Sequence, residues 1–227
     1  MISAEEQHRV QAQAAEIAAE LRAWTGPGAR CKNGARVRIT QQFKGESGPY
    51  VMALAREMGD VHGCRWFSYC LARYHPQAFQ SLDDSQVEAL GQGINSRDIV
   101  DSYARILSGP AWLHGLVSDD LIHHWARSGD CWLRRAALVS TVALNIRGAD
   151  GGTGDTPRTL AVCRMLVGDG DDMVSKALSW ALRALAVRDP QAVRAFVAEH
   201  EDQLAAQVRR EVTNELEAGP RPRHGLG

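Results

Sequence analysis

Three side chains in the C-terminal third of the chain have types and a spacing that suit binding of an anion. In the segment MVSKALSWALRALA, Lys176, Trp180 and Arg183 fall at positions i, i+4 and i+7. A helix places such positions on one face, so two cations would flank an indole there. An exposed face of this kind suits an anionic ligand, whereas a buried one makes the tryptophan an ordinary core residue. The spacing favours neither interpretation over the other.

A second cationic position lies about one helical unit earlier. The segment WLRRAALVSTVAL carries Arg135, 41 residues before Lys176, and a unit before that, SRDIVDS, carries Asp98 and Asp101. A helical unit that recurs at about 40 residues, with charged residues at corresponding points, is typical of a solenoid that lines one surface.

The two aspartates have different expected roles. Asp98 follows Asn95 by three residues, which is typical of a first-turn acid that the helix dipole favours. Asp101 can pair with Arg97 or Arg105 at i and i+4, and spacing alone favours this surface ion pair, which contributes little stability.

Helical periodicity predicts the elements that position these residues, and no window alternates long enough to indicate a sheet. The expected helices are residues 4–24, 50–58, 64–74, 84–91, 96–107, 118–127, 132–146, 158–166, 171–187, 190–200 and 204–217. Trp112, Trp125 and Trp132 lack flanking cations and are expected to pack inside. Helices paired through short Gly/Asp turns predict an all-α fold, a right-handed solenoid of HEAT type with a concave binding face. The Gly-rich break 147–157 lacks the residues of a phosphate loop and is interpreted as an inter-helix turn.

Composition limits the class of protein but not its ligand. The chain has 227 residues, 44% of them hydrophobic, and a formal net charge of −1. A polyanionic partner would therefore need positive charge focused on one face. The one strongly basic segment, residues 28–48, suits phosphate contact or a solvated loop about equally, and its cations are Arg30, Lys32, Arg36, Arg38 and Lys44.

The cysteines predict no metal centre. Their number is five, without a CxxC pair, and no secretory or long apolar segment is found, which favours reduced thiols in a bacterial-type cytoplasm. His62, Cys64, Cys70 and His75 could be drawn as a metal site, but their spacing fits no usual zinc pattern. We expect no metal and no cofactor.

Two blocks resemble a known family. CWLRRAALVSTVALN, followed after a turn by MVSKALSWALRALAVRDPQAVRAFV, resembles the most characteristic blocks of the AlkD-like DNA alkylation repair proteins, and INSRDIVDS resembles that family's catalytic-aspartate block. The family consists of HEAT-like-repeat DNA glycosylases that excise alkylated purines. The similarity runs from about Pro49 to Glu217 and weakens toward the N-terminus.

The resemblance implies roles for individual residues. The essential carboxylate falls on Asp101, the arginine of the WLxRAA block on Arg135 and the tryptophan after KAxxW on Trp180, so these three are the expected catalytic residues. Many family members carry two consecutive tryptophans where this chain has Ser96 and Arg97. The expected DNA-binding residues are Arg97, Arg134, Lys176 and Arg183; by the same resemblance Arg135 faces phosphate and Trp180 contacts sugar.

The chemistry of alkylated purines requires only one carboxylate. A purine alkylated at N3 or N7 is already cationic and leaves without a general acid, while an anion near C1′ stabilises the oxocarbenium-like sugar and orients water. Three hypotheses follow: a monofunctional alkylpurine DNA glycosylase of base excision repair; a non-catalytic relative that binds distorted or branched DNA; and a HEAT-type protein-interaction scaffold.

These hypotheses share one expected organisation. We expect a single domain over residues 1–217, with residues 1–48 the least typical part, and a disordered tail over 218–227. The leading hypothesis implies duplex DNA with alkylated purines as partner, no membrane, no protein partner, a monomer, and a cytoplasmic protein, bacterial and nucleoid-associated when bound to DNA.

Overall fold

The computed structural model describes residues 2–23, 34, 41–146 and 151–218. Every regular element within those ranges is helical, which confirms the all-α prediction. Four cations of the basic segment, Arg30, Lys32, Arg36 and Arg38, lie outside the described residues, as do the start of the Gly-rich break, residues 147–150, and nearly all of the predicted disordered tail, residues 219–227.

The helix boundaries largely agree with the periodicity. The elements are α1 (Ala4–Ala23), α2 (Gly48–Asp60), α3 (Arg65–Tyr74), α4 (Pro76–Gln80), α5 (Asp84–Leu90), α6 (Arg97–Tyr103), a π-helical segment (Ala104–Ser108), α7 (Gly109–Leu113), α8 (Asp119–Ala126), α9 (Cys131–Asn145), α10 (Thr156–Met165), α11 (Asp172–Ala186), α12 (Pro190–Glu199) and α13 (Ala206–Ala218). Most predicted ends fall within two residues of these. The short helices α4 and α7 were not predicted.

The helix predicted over 96–107 differs most from the structure. It changes to π geometry at Ala104 and continues into α7 as far as Leu113. Pro110 gives a local reason, because it has no N–H to donate and its ring crowds the carbonyl four residues earlier. A wider π turn relieves that crowding and lets the chain stay helical past the proline.

The chain divides into two compact units. The first comprises residues 1–94 and 106–117, and the second comprises residues 95–105 and 118–227. In the first unit α2 packs against α1, α3 and α4, and α3 packs against α4. Its core is built from buried large side chains that include Ile17, Phe43, Tyr50, Leu54, Met58, Phe67, Tyr69 and Trp112.

The second unit contains all of the predicted catalytic and DNA-binding residues. Four of its helices pack in succession, α6 on α9, α9 on α11 and α11 on α13. The helices between them in sequence, α8, α10 and α12, each pack against the helix that follows, and α10 and α12 also pack against the helix that precedes. Trp125 lies in this core, 1% exposed, 5.8 Å from the ring of Tyr103.

Aspartate caps fix where the two most important helices begin. The side chain of Asp130 accepts from Trp132 N at 2.9 Å at the start of α9, and that of Asp171 accepts from Met173 N at 2.8 Å at the start of α11. Such caps satisfy backbone N–H groups that have no partner inside the helix. The residue at which a helix begins determines the face of the helix on which each later side chain lies.

The described part of the Gly-rich break is an inter-helix turn, as predicted. Residues 151–155 connect α9 to α10 without regular structure. A Cβ at Gly152 would overlap the carbonyl oxygen of Ala143, so only glycine fits this close approach. Arg188 fastens the turn by donating to Asn145 O at 2.7 Å and to Gly152 O at 2.5 Å. In the described residues, no helix has the length and apolar character needed to cross a bilayer.

Candidate functional site

The carboxylate of Asp101 is bound by Arg135 through both oxygens. Arg135 Nε donates to Oδ1 and Nη2 donates to Oδ2, each at 2.9 Å. The Arg135 side chain is 4% exposed, whereas that of Asp101 is 24% exposed. A two-point pair of this kind fixes the direction of the carboxylate as well as its position. Asp101 therefore has an oriented anionic group with one edge open to solvent.

Arg135 also connects the pair to a third helix. Its Nη1 donates to the carbonyl oxygen of Met173, in the first turn of α11, at 2.5 Å. One guanidinium thus holds α6, α9 and α11 together. It makes these contacts from within the protein, since Arg135 is buried. The guanidinium is thus in contact with the Asp101 carboxylate, and the phosphate contact implied by the resemblance stays a prediction.

Trp180 is half-buried and carries a guanidinium over its ring. The Cζ atom of Arg105 lies 5.4 Å from the centre of the Trp180 ring. Arg105 is exposed and lies four residues after Asp101 in the same continuous helix. Sequence spacing made Arg105 a candidate partner of Asp101, but the structure places its guanidinium on the indole.

Arg97, the other candidate partner of Asp101, lies against its own neighbour. Its Nε is 3.3 Å from Oδ1 of Asp98, and the two side chains are 62% and 89% exposed. An exposed pair of this kind contributes little stability and is easily exchanged for another anion. Asp98 lies in the first turn of α6, as predicted.

The two other cations around Trp180 have different surroundings. Lys176 is exposed and pairs with Asp172 at 2.6 Å within α11. Arg183 is half-buried, and its Nε has no hydrogen-bond partner among the described residues. The positive charge of Arg183 is one of the smaller causes that lower the pKa of the Glu211 carboxyl, after the hydrogen bonds from Ser179 and Gln207.

Arg134 has a structural environment. Its Nε donates to Oδ2 of Asp169 at 2.7 Å, and its Nη1 donates to the carbonyl oxygens of Ser128 and Gly129, both at 3.0 Å. The guanidinium therefore ties the loop before α9 to the loop before α11. The DNA contact expected for Arg134 from the sequence stays a prediction.

A polar contact next to Trp180 joins α11 to α13. The buried hydroxyl of Ser179 donates to Oε2 of Glu211 at 2.5 Å, and Gln207 Nε2 donates to Oε1 at 2.8 Å. These two hydrogen bonds are the main cause of the lowered pKa of Glu211, because they favour its ionised form. Sequence reasoning missed this network, since Ser179 and Glu211 are 32 residues apart.

Two of the four side chains that could be drawn as a metal site, His75 and Cys64, have defined surroundings in the structure. His75 is buried, its Nδ1 accepts from Ala78 N at 3.2 Å as the N-cap of α4, and burial lowers its pKa. Burial likewise raises the pKa of the Cys64 thiol. Across the described ranges, no three His, Cys, Asp or Glu side chains are grouped to hold a metal ion.

Two cavities of the structure lie away from Asp101. A cavity of about 950 Å³ lies between α12 and α13, lined by residues such as Arg194 and Arg210, and one of about 670 Å³ lies in the first unit beside Met52. Neither is lined by Asp101, Arg135 or Trp180. The Asp101 side chain is itself partly exposed, so its carboxylate can meet a ligand at the protein surface.

An all-helical protein with an oriented surface carboxylate among arginines and an indole suits the class of proteins that act on a polyanion. Comparison with protein families identifies the family. A family model described as DNA alkylation repair enzyme matches residues 11–216, so the chain belongs to this family. The resemblance inferred from the sequence is thereby confirmed, and membership supports an enzymatic role in DNA repair. No curated protein and no solved structure matches the chain.

Proposed function

We propose that this protein is a monofunctional DNA glycosylase that excises N3- or N7-alkylated, cationic purines from duplex DNA in base excision repair. The observation that carries the proposal is the state of Asp101, whose carboxylate is fixed by a buried arginine and keeps an exposed edge. A surface ion pair has no need of such a fixed partner. A buried arginine partner does help a carboxylate that must stabilise positive charge developing at one defined point.

Asp101 would act as an electrostatic group in this reaction. Each of its oxygens accepts one N–H from Arg135 and has a further lone pair available. As the bond between C1′ and the purine nitrogen breaks, the electron pair leaves with the base and the sugar becomes oxocarbenium-like. The fixed anion stabilises that cation and orients the water whose oxygen forms the new bond to C1′. The water loses its proton to the solvent, and the alkylated base leaves neutral.

The indole and the exposed cations have supporting roles in the proposal. Trp180 lies against the deoxyribose, and Lys176, Arg183 and Arg97 contact phosphates. Lys176 and Arg97 are suited to this because they are exposed and their present partners are neighbours in sequence, Asp172 and Asp98. Arg134 and Arg135 are assigned to positioning, since their donors are used within the protein.

The packing of the second unit supports the proposed architecture. Paired helices whose second members pack in succession, α9 on α11 on α13, are the pattern of HEAT-like repeats. The resemblance further implies a right-handed superhelix with a concave DNA-binding face, which stays a prediction. We propose that the protein binds duplex DNA as a monomer without a protein partner.

The test compares base release by the protein and by Asp101→Asn from duplex DNA treated with a methylating agent. Asp98→Asn is the matched control, because Asp98 lies on the same helix and is exposed. Binding is measured separately on a duplex that contains an unreactive abasic-site analogue. We expect Asp101→Asn to bind this duplex like the wild type and to release no base, while Asp98→Asn remains active. Unchanged release by Asp101→Asn would refute the assignment.

A second candidate function is a non-catalytic protein that binds distorted or branched DNA. It is favoured by Arg97, which stands with Ser96 where many family members carry tryptophans and which is highly exposed. This function predicts salt-sensitive binding of structured DNA and no release of base from any alkylated substrate. Detection of free base eliminates it.

A further inference from the structure

Arg105 is the one charged residue of the second unit that lies over the Trp180 ring, among the side chains that the structure describes. Its guanidinium is exposed, and no described carboxylate lies within ion-pair distance of it. Asp101, four residues earlier, already has both oxygens bound by Arg135. The charge of Arg105 is therefore left without an anion beside the proposed catalytic carboxylate.

Stacking and hydrogen bonding use different parts of a guanidinium. The Cζ atom of Arg105 lies over the indole, 5.4 Å from the ring centre, and its N–H donors lie in the plane of the guanidinium, where they can reach an acceptor. The ring restrains the side chain, so less conformational entropy is lost when those donors bind. An arginine held in this way is suited to a phosphodiester, whose oxygens match its forked geometry.

The charge balance around Asp101 points to the same ligand. Arg135 neutralises Asp101, and Asp98 neutralises Arg97, so Arg105 leaves this part of the surface with an excess of one positive charge. The cationic base cannot balance this excess charge. A backbone phosphate next to the lesion can, and it would also hold the deoxyribose against Trp180.

We infer that Arg105, held over the ring of Trp180, binds a DNA backbone phosphate next to the nucleotide whose C1′ faces Asp101, and so positions the sugar for the reaction. This inference rests on the proposed function, since it assigns a specific contact within the same site. Sequence reasoning considered Arg105 only as an ion-pair partner. The contact with Trp180 becomes visible only in the folded structure.

The test measures binding to an unreactive duplex with an abasic-site analogue over a range of salt concentrations. Arg105→Gln should weaken binding about tenfold and reduce the slope of log K against log salt by about one. Arg105→Lys should recover the slope, because the charge returns. The matched control is Arg164→Gln, which removes another exposed arginine near an aromatic ring, 6.0 Å from the centre of Phe196, and it should leave the slope unchanged.

A set of duplexes identifies the phosphate. A neutral methylphosphonate is placed at each linkage around the abasic analogue in turn, and one position should weaken the wild type but not Arg105→Gln. If Arg105→Gln binds the duplex with the affinity and the salt slope of the wild type, the inference is wrong. If Asp101→Asn nevertheless abolishes base release, the proposed function stands without the phosphate contact of Arg105. No binding of the duplex by the wild type overturns both.

Discussion

Asp101 and Arg135 are 34 residues apart in sequence and form a two-point ion pair in which the arginine is buried and the aspartate is partly exposed. The third arm of the guanidinium binds Met173 O, so the pair joins three helices. An ion pair with this burial is costly to break on one side, because the remaining charge loses its partner in a poorly solvated place.

Arg135→Met should destabilise the protein by about 3 kcal/mol, because the hydrogen bonds that join α6, α9 and α11 are lost, and it should reduce base release, because the carboxylate of Asp101 loses its orientation. Urea unfolding measures the first effect and single-turnover excision the second. Arg135→Lys is the informative comparison, since it keeps the charge but cannot bind both oxygens at once. In a double-mutant cycle with Asp101→Asn, the two changes should be strongly coupled. Additive effects on stability would contradict the pair as described.

Arg134→Ala should destabilise the protein by about 1 to 2 kcal/mol and leave the salt dependence of DNA binding unchanged. The reason is that its donors hold Asp169, Ser128 O and Gly129 O and so join two loops. Thermal unfolding and a salt titration of DNA binding test the two statements. Arg127→Ala is the control, because Arg127 is exposed and makes one long hydrogen bond, 3.4 Å, to His123 O. A salt slope reduced by about one would assign Arg134 to DNA instead.

Trp180→Ala and Trp125→Ala should separate function from folding. Trp125 is 1% exposed, so its truncation should cost about 3 to 5 kcal/mol of stability. Trp180 is half-buried, and its truncation should cost clearly less stability but lower base release and DNA affinity. Urea unfolding and excision by each folded variant provide the comparison. Equal losses of stability would place Trp180 in the core.

Glu211→Gln should lower the melting temperature at neutral pH, because it weakens the charge-assisted contacts with Ser179 and the attraction of Arg183. The pKa of Glu211 is lowered in the folded protein, so its ionised form contributes stability above the ordinary glutamate range. That contribution is lost as the pH falls through the lowered pKa.

The difference in melting temperature between the wild type and Glu211→Gln should therefore be largest at neutral pH and shrink below about pH 4. Thermal unfolding across the pH range measures it. A difference that grows toward acid pH would contradict the sign of the shift.

The sequence by itself predicted the helices that carry the site and identified the family. Apolar periodicity located α9 and α11 to within a residue at each end, because this signal depends only on residues within a turn or two of each other. The ordered Asp, Trp, Arg and Lys positions identified the family that the family model confirms.

Only the tertiary structure determined which charged side chains form ion pairs. Local spacing offered Arg97 and Arg105 as partners for Asp101, yet Arg135 binds it, since packing of α6 on α9 buries that guanidinium beside the carboxylate. Arg134 and Arg135 are neighbours in sequence but point about 100° apart on the helix, so one ties two loops and the other holds the proposed catalytic group. The contact of Arg105 with the Trp180 ring joins residues 75 positions apart. Such contacts depend on how helices pack, which no local pattern encodes.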